Sequence, residues 1–165
     1  KNIYSIKNIK KELVGDLPIE DLKLKLIKIL DNKYKHFLNV DIILIENQPS
    51  MKNPKMKTIS SILFDYFLIR GIVDKEINNS NILKVKFMSP SNKLKLANIG
   101  DTQQLIKLKG NDAKTYKLTK SLGIKYCSEM IKPFDNWVKI FNDYKKKDDM
   151  ADSFLQGMYY FNEML

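Results

Sequence analysis

Asp41-Ile42-Ile43-Leu44-Ile45-Glu46 is a short continuous apolar run closed by a carboxylate, and the Gln48-Pro49-Ser50-Met51-Lys52-Asn53-Pro54 stretch after it is rich in turn formers. A run of this length, without polar alternation, reads as a strand buried on both faces. Beyond the loop, Met56, Ile59, Ile62, Leu63, Tyr66, Phe67 and Ile69 cover a wide helical face. A long helix is therefore expected over 54–71, with Gly71 as its terminator. Residues 82–88 alternate apolar with lysine and read as another strand before Ser89-Pro90.

Working outward, residues 2–9 read as a short strand around Ile3 and Tyr4. Asp16 and Pro18 supply a helix start, and Leu22, Leu26 and Leu30 support a helix over 18–36, although part of that run alternates like a strand. Residues 91–110 are lysine-rich and aperiodic, so they are expected to form a loop with at most one short helix. Helices are expected over 112–131, from Pro133 onward, and from Asp148 to the end. Trp137 and Phe141 lie on the stripe of the second of these and are expected in the core. With no internal repeat and no linker, strands alternating with helices give a single α/β domain over 1–165.

The composition fits that reading. At 165 residues and 19.3 kDa there is room for one domain with a real core. With 44% hydrophobic and 10% aromatic residues, the chain is unlike a disordered one. No apolar stretch approaches the roughly 20 residues of a membrane span, and no secretory-type apolar run follows Lys1. A lone Cys127 excludes an intrachain disulfide and points to a reducing compartment. The net charge of +10 is almost all lysine, Arg70 being the only arginine. Abundant Lys, Asn and Ile is also what AT-rich codons produce. Acidic residues have not risen to match, however, so a polyanion such as nucleic acid is the favoured partner. A membrane surface is not, because no strongly basic amphipathic helix dominates.

Two groups of acids stand out. Glu46 closes a strand, and open α/β sheets place ligands beyond the carboxyl ends of their strands. Taken alone, a solvated charge explains it better. Asp149 and Asp152 are three apart at a helix start and share a face, with Asp148 close by. Capping explains one such acid, but three crowd one another. Two carboxylates about 5 Å apart repel by roughly 3 kcal/mol at an effective dielectric near 20. A hard divalent cation, Mg²⁺ or Mn²⁺, would relieve that. Lys52, Lys55 and Lys57 flank the loop after Glu46, and Lys145, Lys146 and Lys147 precede the acidic cluster. Basic stretches beside metal ligands suit phosphodiester chemistry. His36 and Cys127 are too isolated for a zinc site, and no Gly-rich phosphate loop is present.

The run Ile42 to Pro49, with Lys52 to Lys57 and the apolar helix after it, resembles the Holliday junction resolvases of poxviruses and other large DNA viruses. Lys146-Lys147-Asp148-Asp149-Met150-Ala151-Asp152-Ser153 resembles the C-terminal acidic motif of the same group, and is similar to that of yeast mitochondrial resolvases. The resemblance covers roughly 40–71 and 145–160 closely. It implies an RNase H-like, RuvC-type mixed sheet flanked by helices. It further implies a metal-dependent endonuclease that resolves four-way DNA junctions by paired symmetric nicks, with two Mg²⁺ ions per site and Mn²⁺ as a substitute. Glu46, Asp149 and Asp152 take the catalytic and metal-ligand positions of the family. Asp148 stands beside them as a further ligand, a supporting contact or a cap.

The family's first strand carries an Asp followed closely by a Gly, and nothing before Glu46 matches it. Asp16 and Asp41 are in the wrong context. The expectation is that a first strand precedes Lys1, and that the chain lacking it cuts poorly. Paired nicks imply a C2 homodimer, for which the apolar helix 54–71 offers a second face, unless that helix is simply central to the core. Alternatives are another RNase H-fold nuclease acting on branched DNA or RNA–DNA hybrids, and a non-catalytic junction-binding protein. The resemblance places a viral protein in the host cytoplasm at the site of viral replication, with the mitochondrion as the alternative.

Overall fold

Leu22, Leu26 and Leu30 stand four apart and all three are buried, so the ambiguous run near the start is a helix. The molecule is represented by a computed structural model that describes residues 17–49, 54–94 and 112–164. The expected 2–9 strand, Lys52 and most of the 91–110 stretch lie outside those residues. The chain divides between Ser89 and Pro90 into two compact units.

In the first unit, helix α1 (Ile19–Lys33) starts after Pro18, with Glu20 and Asp21 in its first turn, where acids favour the helix dipole. It ends sooner than the expected residue 36. The Tyr34 N–H closes on the Leu30 carbonyl, and the chain tightens into a 3₁₀ turn over Lys35–Asn39. The tighter turn buries both Phe37 and Leu38, and the Tyr34 ring stacks on Phe37 with centroids 5.6 Å apart.

Strand β1 (Ile42–Glu46) pairs in parallel with β2 (Lys84–Met88), in register from Ile42 opposite Lys84 to Glu46 opposite Met88. The Asn47 N–H extends the ladder to the Met88 carbonyl at 2.8 Å. Residues 82 and 83, expected in this strand, lead into it. The Leu83 N–H reaches the Asp41 carbonyl at 2.8 Å, while Ser80 Oγ donates to the Leu38 carbonyl and accepts from the Ile82 N–H, each at 3.1 Å. Only Ile45 of β1 is fully buried; Ile42, Ile43 and Leu44 are half-buried, so the strand is less enclosed than its apolar run implies. Among the described residues β2 is its one partner.

Helix α2 (Pro54–Leu68) makes the crossover that a parallel pair needs. It buries Ile62, Tyr66 and Phe67 against Leu26, Leu30, Leu38, Ile45 and Ile82. Fully burying side chains such as Leu30, Leu38 and Ile82 contributes roughly 1.5–3 kcal/mol each. The Tyr66 hydroxyl donates to Asp31 Oδ1 at 2.9 Å, and Arg70 bridges Asp31 and Asp74 at 3.6 and 3.3 Å. Burial, with the Asp31 carboxylate adding to it, holds the Tyr66 phenol well above its ordinary range, so it stays a donor.

Gly71 does not terminate α2. The helix widens into a π-turn over Ile69–Val73, closed by the Asp74 N–H on the Ile69 carbonyl, and Gly71 lies buried inside it. Its role is close approach, because a Cβ there would stand 2.6 Å from Ile82 Cδ1. Short helix α3 (Lys75–Asn78) follows and ends on Asn79, whose φ of 48° is left-handed.

The second unit is helical. After a 3₁₀ turn at Pro90–Leu94 come α4 (Asp112–Ile131), α5 (Asp135–Asp143) and α6 (Lys147–Met164). Its cores are Leu122, Tyr126 and Leu155, and Cys127, Ile131, Phe141 and Ala151. Burial pushes the Cys127 thiol up to about 11, which leaves it protonated and unreactive. Phe141 enters the core as expected, but Trp137 does not. Val138 and Phe141 define the inward face of α5, and Trp137 lies on its flank. Across the described residues the architecture is mixed α/β, mostly helical, with a two-stranded parallel sheet.

Candidate functional site

Glu46 is the last residue of β1, so the parallel pairing puts its carboxylate at the carboxyl end of the sheet. It is half-buried, and Gln48 Nε2 donates to its Oε1 at 3.1 Å. That bond explains the Glu-x-Gln spacing: two residues past the strand end, the amide can turn back and fix the acid. Lys57, in the first turn of α2, donates to Asn47 Oδ1 at 2.7 Å and sits 5.1 Å from the centre of the Phe87 ring. Phe87 is itself stacked on Phe64, with centroids 4.6 Å apart. One lysine is therefore held beside the strand end by an amide oxygen and an aromatic face. Lys55 is exposed one residue into the same helix. Asn47 and Phe87 are contributors that sequence reading missed. Only the adjacency of Asn47 to Glu46 hinted at the first, and nothing hinted at the second.

In the second unit, α6 opens with Lys147, Asp148 and Asp149, one residue before the expected start. The Lys120 ammonium of α4 donates to Asp148, and Lys120 also lies over the Tyr116 ring at 4.8 Å. The Lys120 hydrogen bond is the main reason the Asp148 carboxyl is held below its usual range, so Asp148 is ionised. Lys146 pairs with Asp149 at 3.4 Å, both side chains about half exposed. Asp152 is half-buried and packs towards Gly123, where a Cβ would stand 3.5 Å from its Oδ1. Lys147 reaches Asn142 Oδ1 at 3.5 Å and lies 6.0 Å from the Phe141 ring centre, while Lys145 is exposed.

The crowding of acids read from the sequence is thus answered in part by lysines. Lys120 compensates Asp148 and Lys146 compensates Asp149. Glu46, Asp149 and Asp152 offer the hard oxygen donors that Mg²⁺ or Mn²⁺ takes. Asp148 fits that role only if its ion pair with Lys120 opens. Glu46 belongs to the first unit and the aspartates to the second. Among the described residues, no three His, Cys, Asp or Glu side chains gather into a cation site.

No family model matches the chain. It is 46% identical over 159 residues to an uncharacterized protein of Acanthamoeba polyphaga mimivirus. The match takes in 95% of this chain and spans 38% of the relative's length. No solved structure matches it. The chain is therefore similar to part of a mimivirus protein. Among the described residues, no helix is long and apolar enough to cross a membrane.

Proposed function

We propose that this chain belongs to a metal-dependent, structure-specific endonuclease that cuts four-way DNA junctions in a virus-infected cell. The observation that carries the reading is Glu46: a half-buried acid at the carboxyl end of a parallel strand, oriented by Gln48, with Lys57 fixed beside it. The acidic first turn of α6 supplies the second set of oxygen donors. The relative from a large DNA virus is compatible with the viral branch of the resolvase resemblance.

In this reading Glu46 in the first unit, and Asp149 and Asp152 in the second, would serve as ligands of divalent cations, Mg²⁺ or Mn²⁺, which would supply activation of water and stabilisation of the leaving 3′-oxygen. Gln48 keeps Glu46 pointed, and Lys57, Lys55 and Lys145 to Lys147 bind the phosphate backbone without reading sequence. Paired nicks call for a homodimer. Met56 and Leu68, exposed on α2, are apolar positions that a second copy could cover.

The test is cleavage of a synthetic four-way junction by the whole gene product with Mg²⁺ or Mn²⁺. Glu46→Gln and Asp152→Asn are each expected to abolish cutting while junction binding survives. Wild-type cutting rates in either variant would overturn the assignment.

One observation favours a second reading, a junction-binding protein without catalysis. Lys120 pairs with Asp148 and Lys146 with Asp149, so part of the charge at the head of α6 is offset without a cation. Junction binding that is indifferent to Mg²⁺, with no cutting of junction, fork or RNA–DNA hybrid, would support it over the nuclease.

A further inference from the structure

Helix α5 is short and strongly two-faced. Val138 and Phe141 point into the second unit's core. Phe134, just before the helix, and Trp137, in its first turn, do not: they are 58% and 39% exposed. Two large aromatic residues three positions apart, left open to water, are costly unless something covers them. Neither ring stacks on another ring among the described residues. Exposed Lys132 and Lys139 flank the pair in sequence, and exposed Lys145 and Lys146 follow the helix. Residues 132–147 hold five lysines (132, 139, 145, 146, 147) against two aspartates (135, 143); with Lys146 paired to Asp149 just beyond the stretch, the local excess is +2.

We propose that Phe134 and Trp137 form a stacking platform for unpaired bases of a nucleic-acid strand, with the surrounding lysines following its phosphates. Aromatic rings set among cations are how proteins grip single strands without reading sequence, because every base has a π-face. Ile140, 49% exposed, extends the stripe by one aliphatic side chain, and the vesicle and peptide arms below test a lipid surface and an apolar partner as its occupant. The proposal rests on the reading of the chain as a DNA protein, but not on its cutting DNA. It gives the proposed enzyme a place to hold the bases that open at a branch point.

Trp137 is the only tryptophan of the chain, so it reports on its own site. The experiment titrates the 165-residue chain with oligo-dT, with a duplex of equal length, with neutral phosphatidylcholine vesicles and with an apolar amphipathic peptide. EDTA is present throughout, so cleavage plays no part. Oligo-dT is expected to quench the Trp137 emission, and the duplex to do so far less. Anisotropy of a labelled oligo-dT should show Phe134→Ala binding at least about fivefold more weakly. Trp137→Ala should weaken binding as Phe134→Ala does, and Trp137→Phe should fall between it and the wild type, because a smaller ring is kept. Phe134 is mostly exposed, so its alanine variant is expected to fold, as circular dichroism will check. Unchanged affinity in Phe134→Ala, equal quenching by duplex, or quenching by vesicle or peptide alone overturns the platform. If oligo-dT binds here while a four-way junction is never cut, only the nuclease reading fails. If the junction is cut and Phe134→Ala binds like wild type, only the platform fails.

Discussion

The Lys120 ammonium donates to the Asp148 carboxylate across 28 residues of chain, tying the middle of α4 to the first turn of α6. Each partner shifts the other, and the hydrogen bond is the leading cause on both sides. Asp148 is lowered from 3.8, so its stabilising share is present above that pH and is lost as pH falls through the depressed folded value. Lys120 is raised from 10.5, so its share is present below that pH and is lost only as pH rises through the elevated folded value. The side chains are 38% and 23% exposed, so solvent screening keeps the pair to about 0.2–1 kcal/mol. Lys120→Met should therefore melt lower than wild type at pH 7. The gap should close on acidification below the usual carboxylate range, which thermal melts at both pH values will check.

That pair also marks where sequence reading stops. Asp41 to Glu46, residues 82–88 and the helical run after Pro54 carried their own patterns. Both strands are found within two residues of their expected bounds, while the helix expected over 54–71 ends at Leu68 and runs on as a π-turn. The two acidic groups were legible as motifs. Lys120 was not, because nothing local links it to an acid 28 positions later. The same limit applies to Gly71, whose neighbour Ile82 lies across a turn and a short helix. For Trp137 the helical stripe was correct but its edge was not: one flanking position decides between core and solvent, and only the packing of Phe141 and Val138 fixes it. Glu46 and the α6 acids were legible as acidic positions at a strand end and a helix start, while the amide that orients the first and the lysines that pair with the second depend on the fold.

Gly71 and Ile82 are in contact so close that a side chain at position 71 must displace Ile82. An alanine Cβ would meet Ile82 Cδ1 at 2.6 Å, Cβ at 3.2 Å and Cγ1 at 3.3 Å, and Ile82 is buried in the core. Gly71→Ala should cost about 1–3 kcal/mol by overpacking. Ile82→Val removes Cδ1, the worst of those contacts, at a cost of about 0.5–1.5 kcal/mol on its own. The double variant should then lose less than the sum of the singles. Urea unfolding of all four proteins gives the coupling, and strict additivity would show that the clash is absorbed elsewhere.

Gly123 offers the opposite case. A Cβ there would stand 3.5 Å from Asp152 Oδ1 and 3.9 Å from Leu155 Cδ1, which is ordinary contact. Inside α4, Gly→Ala gains about 0.5–1 kcal/mol of helix propensity. Gly123→Ala should raise the melting temperature and leave Asp152 in place. Gly123→Leu has no such room and should displace Asp152, lowering both stability and, in the proposed enzyme, cleavage. A melting temperature for Gly123→Ala below that of wild type would mean that α4 and α6 lie closer than these distances allow.

Lys146 and Asp149 form an exposed pair three residues apart, and a cation held by Asp149 must compete with that lysine. Pairs this exposed are worth about 0.2–1 kcal/mol. Removing the lysine should therefore tighten divalent-ion binding by roughly 1.4- to fivefold, since each 1.4 kcal/mol is a factor of ten. The measurement is Mn²⁺ binding by electron paramagnetic resonance on the whole gene product without DNA, comparing wild type, Lys146→Gln and Asp149→Asn. Lys146→Gln should bind Mn²⁺ more tightly and Asp149→Asn more weakly, because one variant removes a competitor and the other a donor. DNA affinity should move the other way in Lys146→Gln, since a phosphate contact is lost and the salt dependence of binding becomes shallower. If neither substitution changes Mn²⁺ binding, Asp149 holds no ion, and its role at the head of α6 is helix stabilisation.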